Sequence, residues 1–156
     1  MGAPMSAELQ SIKFSLPYPP SVNHYWEPVS RPVKPGSRKY RAWLILSDRA
    51  REYRMLATNA MRLQRVPCGK LTGLLRIHLT VFPPDQRDRD LDNLLKGLLD
   101  SLAHAGIIRN DADFDEISMK RGHVVGNGRI DVTIAELPGG AMVSGDLFER
   151  QLESVE

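Results

Sequence analysis

Apolar and polar side chains alternate over residues 72–82, with Leu75, Ile77, Leu79 and Val81 on one side and Arg76, His78 and Thr80 on the other. That period belongs to a strand with one buried face. Residues 11–16 repeat it through Ile12, Phe14 and Leu16, and Ile130, Val132 and Ile134 repeat it late in the chain. Between them the spacing changes: Leu91, Leu94, Leu95, Leu98, Leu99, Leu102 and Ala103 recur at i, i+3, i+4 and i+7, a helical stripe that Gly106 is placed to cap. An earlier helix starts at Ser47, whose hydroxyl suits the N-cap, and carries Ala50, Tyr53, Leu56, Ala57, Ala60, Met61 and Leu63 before Pro67 and Gly69 stop it.

The remaining segments are read from their turn residues. Pro17, Pro19, Pro20, Pro28, Pro32, Pro35 and Gly36 interrupt residues 17–37, which read as one long loop. Loops of that length in compact domains are usually functional or disordered. Downstream, Ile117 and Met119 lead to Gly126-Asn127-Gly128, and Ile130, Val132 and Ile134 return, which predicts a β-hairpin. The element order is then β-α-β-α-β-β without internal repeats. It predicts a two-layer α+β fold in which a mixed four-stranded sheet carries its helices on one face. Residues 1–137 read as a single domain and residues 138–156 as an appendage, either a short helix or disordered.

Composition narrows the class. A chain of 156 residues that is 42% hydrophobic can bury a core without disulfides or structural metal. Its one cysteine, Cys68, can form no internal bridge and reads as inert, and one Cys with four His offers no zinc-ligand spacing. With no apolar run of membrane-spanning length and no basic-then-apolar leader, the expectation is a cytoplasmic protein.

The net charge of +2 conceals a division along the chain. Residues 24–65 carry ten Lys or Arg against three acids, whereas residues 85–116 carry nine acids against four Lys or Arg. The first block attracts a polyanion and the second a cation. Together they suit an enzyme that grips phosphate backbone and cuts it with a divalent ion.

The acidic block holds Asp90-Leu91-Asp92-Asn93-Leu94-Leu95-Lys96 at the start of the leucine-rich helix. Since the leucines own the core side, Asp92, Asn93 and Lys96 fall on the polar side, with Asp92 and Lys96 four residues apart and adjacent. At a first helical turn Asp90 and Asp92 can converge on one hard cation such as Mg²⁺, which prefers oxygen ligands and keeps several waters. The same residues also fit a plain helix start, with Asp90 as N-cap, Asp92 facing the dipole and Lys96 paired to Asp92 or Asp100. Spacing alone does not choose between these. A calcium loop beginning at Asp111 is excluded, because its sixth and twelfth positions, Glu116 and Gly122, are not the glycine and glutamate such a loop needs.

Leu16-Pro17-Tyr18-Pro19-Pro20-Ser21-Val22-Asn23, then Arg89-Asp90-Leu91-Asp92-Asn93-Leu94-Leu95-Lys96, then Leu99-Asp100, Ala105-Gly106 and Asp111 together resemble the RusA family of Holliday junction resolvases. The resemblance runs over residues 12–136. It implies a small homodimeric, Mg²⁺-dependent endonuclease, often of prophage origin, that resolves four-way DNA junctions by paired symmetric nicks in recombination and repair. Mn²⁺ would be the natural substitute ion. By the same resemblance Asp90, Asp92 and Asp111 hold the metal, Lys96 is needed for catalysis and Asn93 is the motif asparagine. In family members basic residues run up to the first metal aspartate, whereas here Asp85 and Asp88 interrupt Arg87 and Arg89. The segment 27–40 and the tail beyond Leu137 are longer than in the minimal family chain, so the resemblance assigns them no role.

Expected DNA contacts are Arg31, Lys34, Arg38, Lys39 and Arg41 in the long loop, with Arg87, Arg89, Asn93, Lys120 and Arg121 nearer the acidic block. Two rival readings use the same features. One is a nuclease acting on flaps or branched DNA generally. The other is a non-cleaving DNA-binding protein that stacks bases on Tyr25, Trp26, Tyr40 and Trp43, which has no need of three aspartates.

Overall fold

The computed structural model describes residues 10–71 and 73–137. It contains β1 (Ser11–Pro17), a 3-10 turn (Val22–His24), β2 (Trp26–Pro32), β3 (Tyr40–Leu46), α1 (Asp48–Leu63), β4 (Leu75–Phe82), α2 (Asp92–His104), a second 3-10 turn (Asp111–Asp113), β5 (Phe114–Arg121) and β6 (Arg129–Glu136). Four strands form one mixed sheet in the order β1-β6-β4-β5, and β2 and β3 form a separate ribbon. The α+β class, the mixed four-stranded sheet and helices packed on one face are as the periodicities predict. The appendage assigned to residues 138–156 lies outside the described residues.

Alternation decides which face the helices cover. Leu75, Ile77, Leu79 and Val81 of β4, Ile130, Val132 and Ile134 of β6, and Phe14 and Leu16 of β1 share one buried cluster with Tyr53, Ala57 and Met61 of α1 and Leu94, Leu98, Leu99 and Leu102 of α2. Burying a large aliphatic side chain contributes about 1.5–3 kcal/mol, so this single cluster dominates the cohesion of the body. The opposite face is polar: Arg76 pairs with Glu116, and His78 Nδ1 lies 2.7 Å from Ser118 Oγ.

Ser47 caps α1 as expected, accepting from the Ala50 amide at 3.1 Å. Its hydroxyl also donates to the His24 carbonyl at 2.6 Å, and its amide donates to the Tyr25 carbonyl at 3.0 Å. One residue therefore fixes both the helix start and the root of the ribbon.

Two expectations are corrected. The predicted loop 17–37 contains β2, and the chain returns as β3 with Arg31 opposite Arg41, Val29 opposite Trp43 and Pro28 opposite Leu44. Pro28 and Pro32 are compatible with pairing because they occupy alternate positions of one phase, whose amides point out of a two-stranded ribbon and need no ladder bond. Pro35-Gly36 supplies the turn, closed by the Ser37 amide on the Lys34 carbonyl at 3.0 Å with Gly36 at φ +78°. Proline followed by a left-handed glycine is the type II signature.

The second correction concerns the predicted hairpin between β5 and β6. These strands run antiparallel but are not neighbours, since β4 lies between them, parallel to β5 and antiparallel to β6. After β5 the chain crosses the end of β4: the Gly122 amide donates to the Val81 carbonyl and the Val125 amide to the Pro83 carbonyl. Gly122 is required there, because a Cβ would sit 2.6 Å from the Phe82 ring.

Candidate active site

Residues 83–91 and the first turn of α2, which follow the C-terminal end of β4, make one rim of the body, whereas the segment after α2 leads into β5, whose Phe114 lies opposite Leu75 at the start of β4. Asp85 organises the first of these. Its carboxylate accepts from Arg89 at 2.5 and 2.8 Å and from the Arg87 amide at 3.0 Å. Those bonds, the Arg89 pair foremost, hold the Asp85 carboxyl well below the usual carboxylate range. Arg89 lies 6.0 Å above the Tyr18 ring, and Arg121 donates to the Arg89 carbonyl. The acid that interrupts the basic run is thus a scaffold for Arg89.

α2 begins at Asp92 without a side-chain N-cap, so Asp90 does not serve as one. Asn93 links the two aspartates: its amide donates to Asp92 Oδ1 at 2.9 Å and its side chain to Asp90 Oδ2 at 3.4 Å. One turn on, Lys96 Nζ lies 2.9 Å from Asp100 and 3.2 Å from Asp111. Hydrogen bonding to Asp100 is the largest influence on this ammonium and raises its pKa; partial burial opposes it and Asp111 adds to it. Lys96 therefore stays charged through neutral pH.

Asp111 reaches Lys96 because of local chemistry after the helix. Gly106, at φ +75°, turns the chain, and Ile107 and Ile108 re-enter the core. A reciprocal capping box at Asn110 and Asp113 then sets the 3-10 turn that begins with Asp111.

Asp90, Asp92 and Asn93 thus share one turn, Asp111 meets Lys96, and Arg87, Arg89 and Arg121 surround the preceding loop. Lys120 stands apart, on the sheet face shared with Thr80, away from the helices. Arg31, Lys34, Arg38, Lys39 and Arg41 all belong to the exposed ribbon or its turn, where Arg41 lies 5.9 Å from the Trp43 ring. Of the four aromatics offered for base stacking, Trp26, Tyr40 and Trp43 are exposed, but Tyr25 is fully buried and unavailable.

Sequence reasoning missed the cleft beside this rim. A cavity of about 670 Å³ opens next to Asp90 and Asn93, and Tyr18, His24, Arg49, Arg87 and Arg89 also line it. Arg49 and His24 are far from Asp90 in sequence and only the packed body brings them there. The donor set of Asp90, Asp92 and Asp111 is all carboxylate oxygen, which suits Mg²⁺. Among the described residues no group of three such side chains is gathered closely enough to hold an ion, and the Asp111 carboxylate is engaged by Lys96.

Carboxylates and cations thus meet along α2 and the loop before it, and further cations lie exposed on the ribbon. In comparison with known proteins, residues 17–135 match the family described as Endodeoxyribonuclease RusA, and the chain belongs to this family. It is 40% identical over 129 residues to a crossover junction endodeoxyribonuclease of Enterobacteria phage HK97, covering 83% of this chain and 98% of that protein. Over the same coverage it is 30% identical to the protein of that name from Shigella sonnei strain Ss046 and 29% identical to that of Escherichia coli K12. No helix among the described residues is long and apolar enough to cross a membrane.

Proposed function

We propose that this chain is a Mg²⁺-dependent, structure-specific endonuclease that resolves Holliday junctions by paired symmetric nicks, acting as a homodimer on four-way DNA in the cytoplasm. The observation that carries the reading is the 3.2 Å contact of Lys96 with Asp111, which ties the downstream aspartate of the motif to α2, the helix that opens with Asp92. Family membership and the names of its relatives support the same substrate.

Asp90, Asp92 and Asp111 would hold the ion once drawn together from the separate positions they take in this structure, with Mn²⁺ an acceptable substitute. The chemistry supplied by such an ion is a lowered pKa for the attacking water and stabilisation of charge on the scissile phosphate. Asn93 keeps the Asp90 and Asp92 carboxylates in place through the two bonds described above. Lys96 contributes a fixed positive charge where negative charge develops in the transition state. Arg49, Arg87 and Arg89 line the cleft and neutralise backbone phosphates on the approach to Asp90. The ribbon cations extend that contact. A two-fold dimer presents two identical sites across a branch point, which symmetric resolution requires.

The test is cleavage of end-labelled four-way junctions, flaps and plain duplex in Mg²⁺, with cuts mapped on each strand. Symmetric paired nicks confined to the junction are expected. Equal cutting of flaps, or cuts on one strand only, would replace this reading with a general branched-DNA nickase.

A further inference from the structure

Lys96 has a long, flexible stem and a half-exposed ammonium, yet two carboxylates fix its position. They differ in kind. Asp111 is half exposed and belongs to a turn after the helix, whereas Asp100 lies one helical turn beyond Lys96 on α2 and only 17% of its side chain is exposed. Asp100 is itself held from behind. Arg54 of α1 places a guanidinium nitrogen 3.9 Å from Asp100 Oδ2, and its Nε donates to the Tyr25 hydroxyl at 3.2 Å. Tyr25 cannot drift, since it is fully buried against Gly97, where a Cβ would lie 3.1 Å from its ring. The result is an alternating row of charges, Arg54, Asp100, Lys96 and Asp111, anchored at its inner end in the core.

We propose that Asp100 is the positioning residue for Lys96, with Arg54 and Tyr25 as its support. This rests on the proposed function above, in which Asp111 has a second task as a metal ligand. An Asp111 carboxylate that served an ion would share its charge between that ion and Lys96, whereas Asp100, held from behind by Arg54, would keep the ammonium in place beside α2. Without Asp100, Arg54 and Lys96 are two cations with nothing between them, and mutual repulsion turns Lys96 outward. Misplacing a catalytic group by about 1 Å can cost on the order of a hundredfold in rate.

The experiment compares Lys96→Ala, Asp100→Asn, Asp100→Glu and the double variant Lys96→Ala/Asp100→Asn in the full chain, using junction cleavage in Mg²⁺, junction affinity in Ca²⁺ and thermal melting. Asp100→Asn is expected to lower kcat about 10- to 100-fold with KM and junction affinity within about twofold of the parent. Asp100→Glu, still four residues from Lys96 on one helix face, is expected to recover most of that loss. The double variant is expected to cut no more slowly than Lys96→Ala, because Asp100 acts through the lysine. Additive losses in the double variant, no rescue by glutamate, or a kcat loss that tracks a fall in melting temperature would overturn the proposal and make Asp100 a structural ion-pair member. If Lys96→Ala is slow and Asp100→Asn is not, only the positioning role falls. If Lys96→Ala cuts at the full rate, the catalytic role of Lys96 falls with it.

Discussion

The body and the ribbon of this protein solve opposite problems. In the body, position is over-determined: Asp85 fixes Arg89, Asn93 bridges Asp90 and Asp92, and a capping box aims the turn that bears Asp111. In the ribbon little is pinned, and exposed cations alternate with exposed Tyr40 and Trp43 on two strands that pair only with each other. An isolated two-stranded ribbon is marginally stable in water. Chemistry at a phosphate needs atoms placed within fractions of an ångström, whereas attraction of a polyanion needs charge density and tolerates motion. The two regions therefore should fail differently when altered.

The largest effect should come from the body. Asp90→Asn, Asp92→Asn or Asp111→Asn each removes a charge proposed for the metal site and is expected to lower junction cleavage by about a thousandfold or more. Junction binding should be unchanged or tighter, because a negative charge facing phosphate is also removed. Gel-shift titration in Ca²⁺ beside a cleavage assay in Mg²⁺ measures both. Full cleavage by Asp92→Asn would break the contrast at its centre.

The converse alteration belongs to the ribbon. Replacing Lys34, Arg38, Lys39 and Arg41 together by Ala should flatten the dependence of log affinity on log salt by roughly 2 to 4 units, at about 0.9 for each phosphate no longer neutralised. At saturating protein the cleavage rate should remain close to the parent's. Affinity is measured across a salt series with the Asp90→Asn background to stop turnover, and circular dichroism checks the fold. An unchanged slope would shift the DNA path to the cleft cations, Arg49, Arg87 and Arg89.

The same division explains what could be read from the residues alone. β4 and α2 were legible because each buries one face in a single core, so burial imposes a period on the sequence. The ribbon buries neither face, leaving no period to read, and its prolines resemble loop residues although they sit where a two-stranded ribbon leaves amides outward. The misplaced hairpin has a different origin. Adjacent strands with a glycine-rich connection look local, and only the ladders of β4 to both strands show that a third strand intervenes. In the site, Asp90, Asp92, Asn93 and Lys96 are legible together because they fall within seven consecutive residues at the start of α2. The meeting of Lys96 with Asp111 depends on how sharply Gly106 turns the chain. Arg54 and Tyr25 come from other elements, and no spacing announces them.

Gly97 is where the two regions touch, and a smaller effect should appear there. Alanine is ordinarily the better helix former, by about 1 kcal/mol. At this position its methyl would press on the Tyr25 ring at 3.1 and 3.3 Å. Tyr25 has little room to yield, with its hydroxyl bonded to Arg54 and its ring edge-on to Trp26. Gly97→Ala is therefore expected to destabilise by about 1–2 kcal/mol by urea unfolding, as overpacking does. A stabilised variant would show that the ribbon root yields and that the two regions are mechanically independent.

The smallest effect separates polar groups that serve the rim from those merely carried by packing. Tyr53 lies on the buried side of α1, and its hydroxyl has no hydrogen-bond partner among the described residues. Burial pushes its phenol far above the ordinary tyrosine pKa, so it stays neutral and contributes no charge to the nearby rim. A buried hydroxyl without a partner has given up its water and has no bond to replace it. Tyr53→Phe keeps the ring in the core and removes only that liability, so stability should be unchanged or rise by up to about 1 kcal/mol. Junction affinity and cleavage rate should both match the parent. A loss of stability would mean that the hydroxyl is bonded in solution. A loss of cleavage at full stability would extend the finely placed site inward through α1, as far as Tyr53.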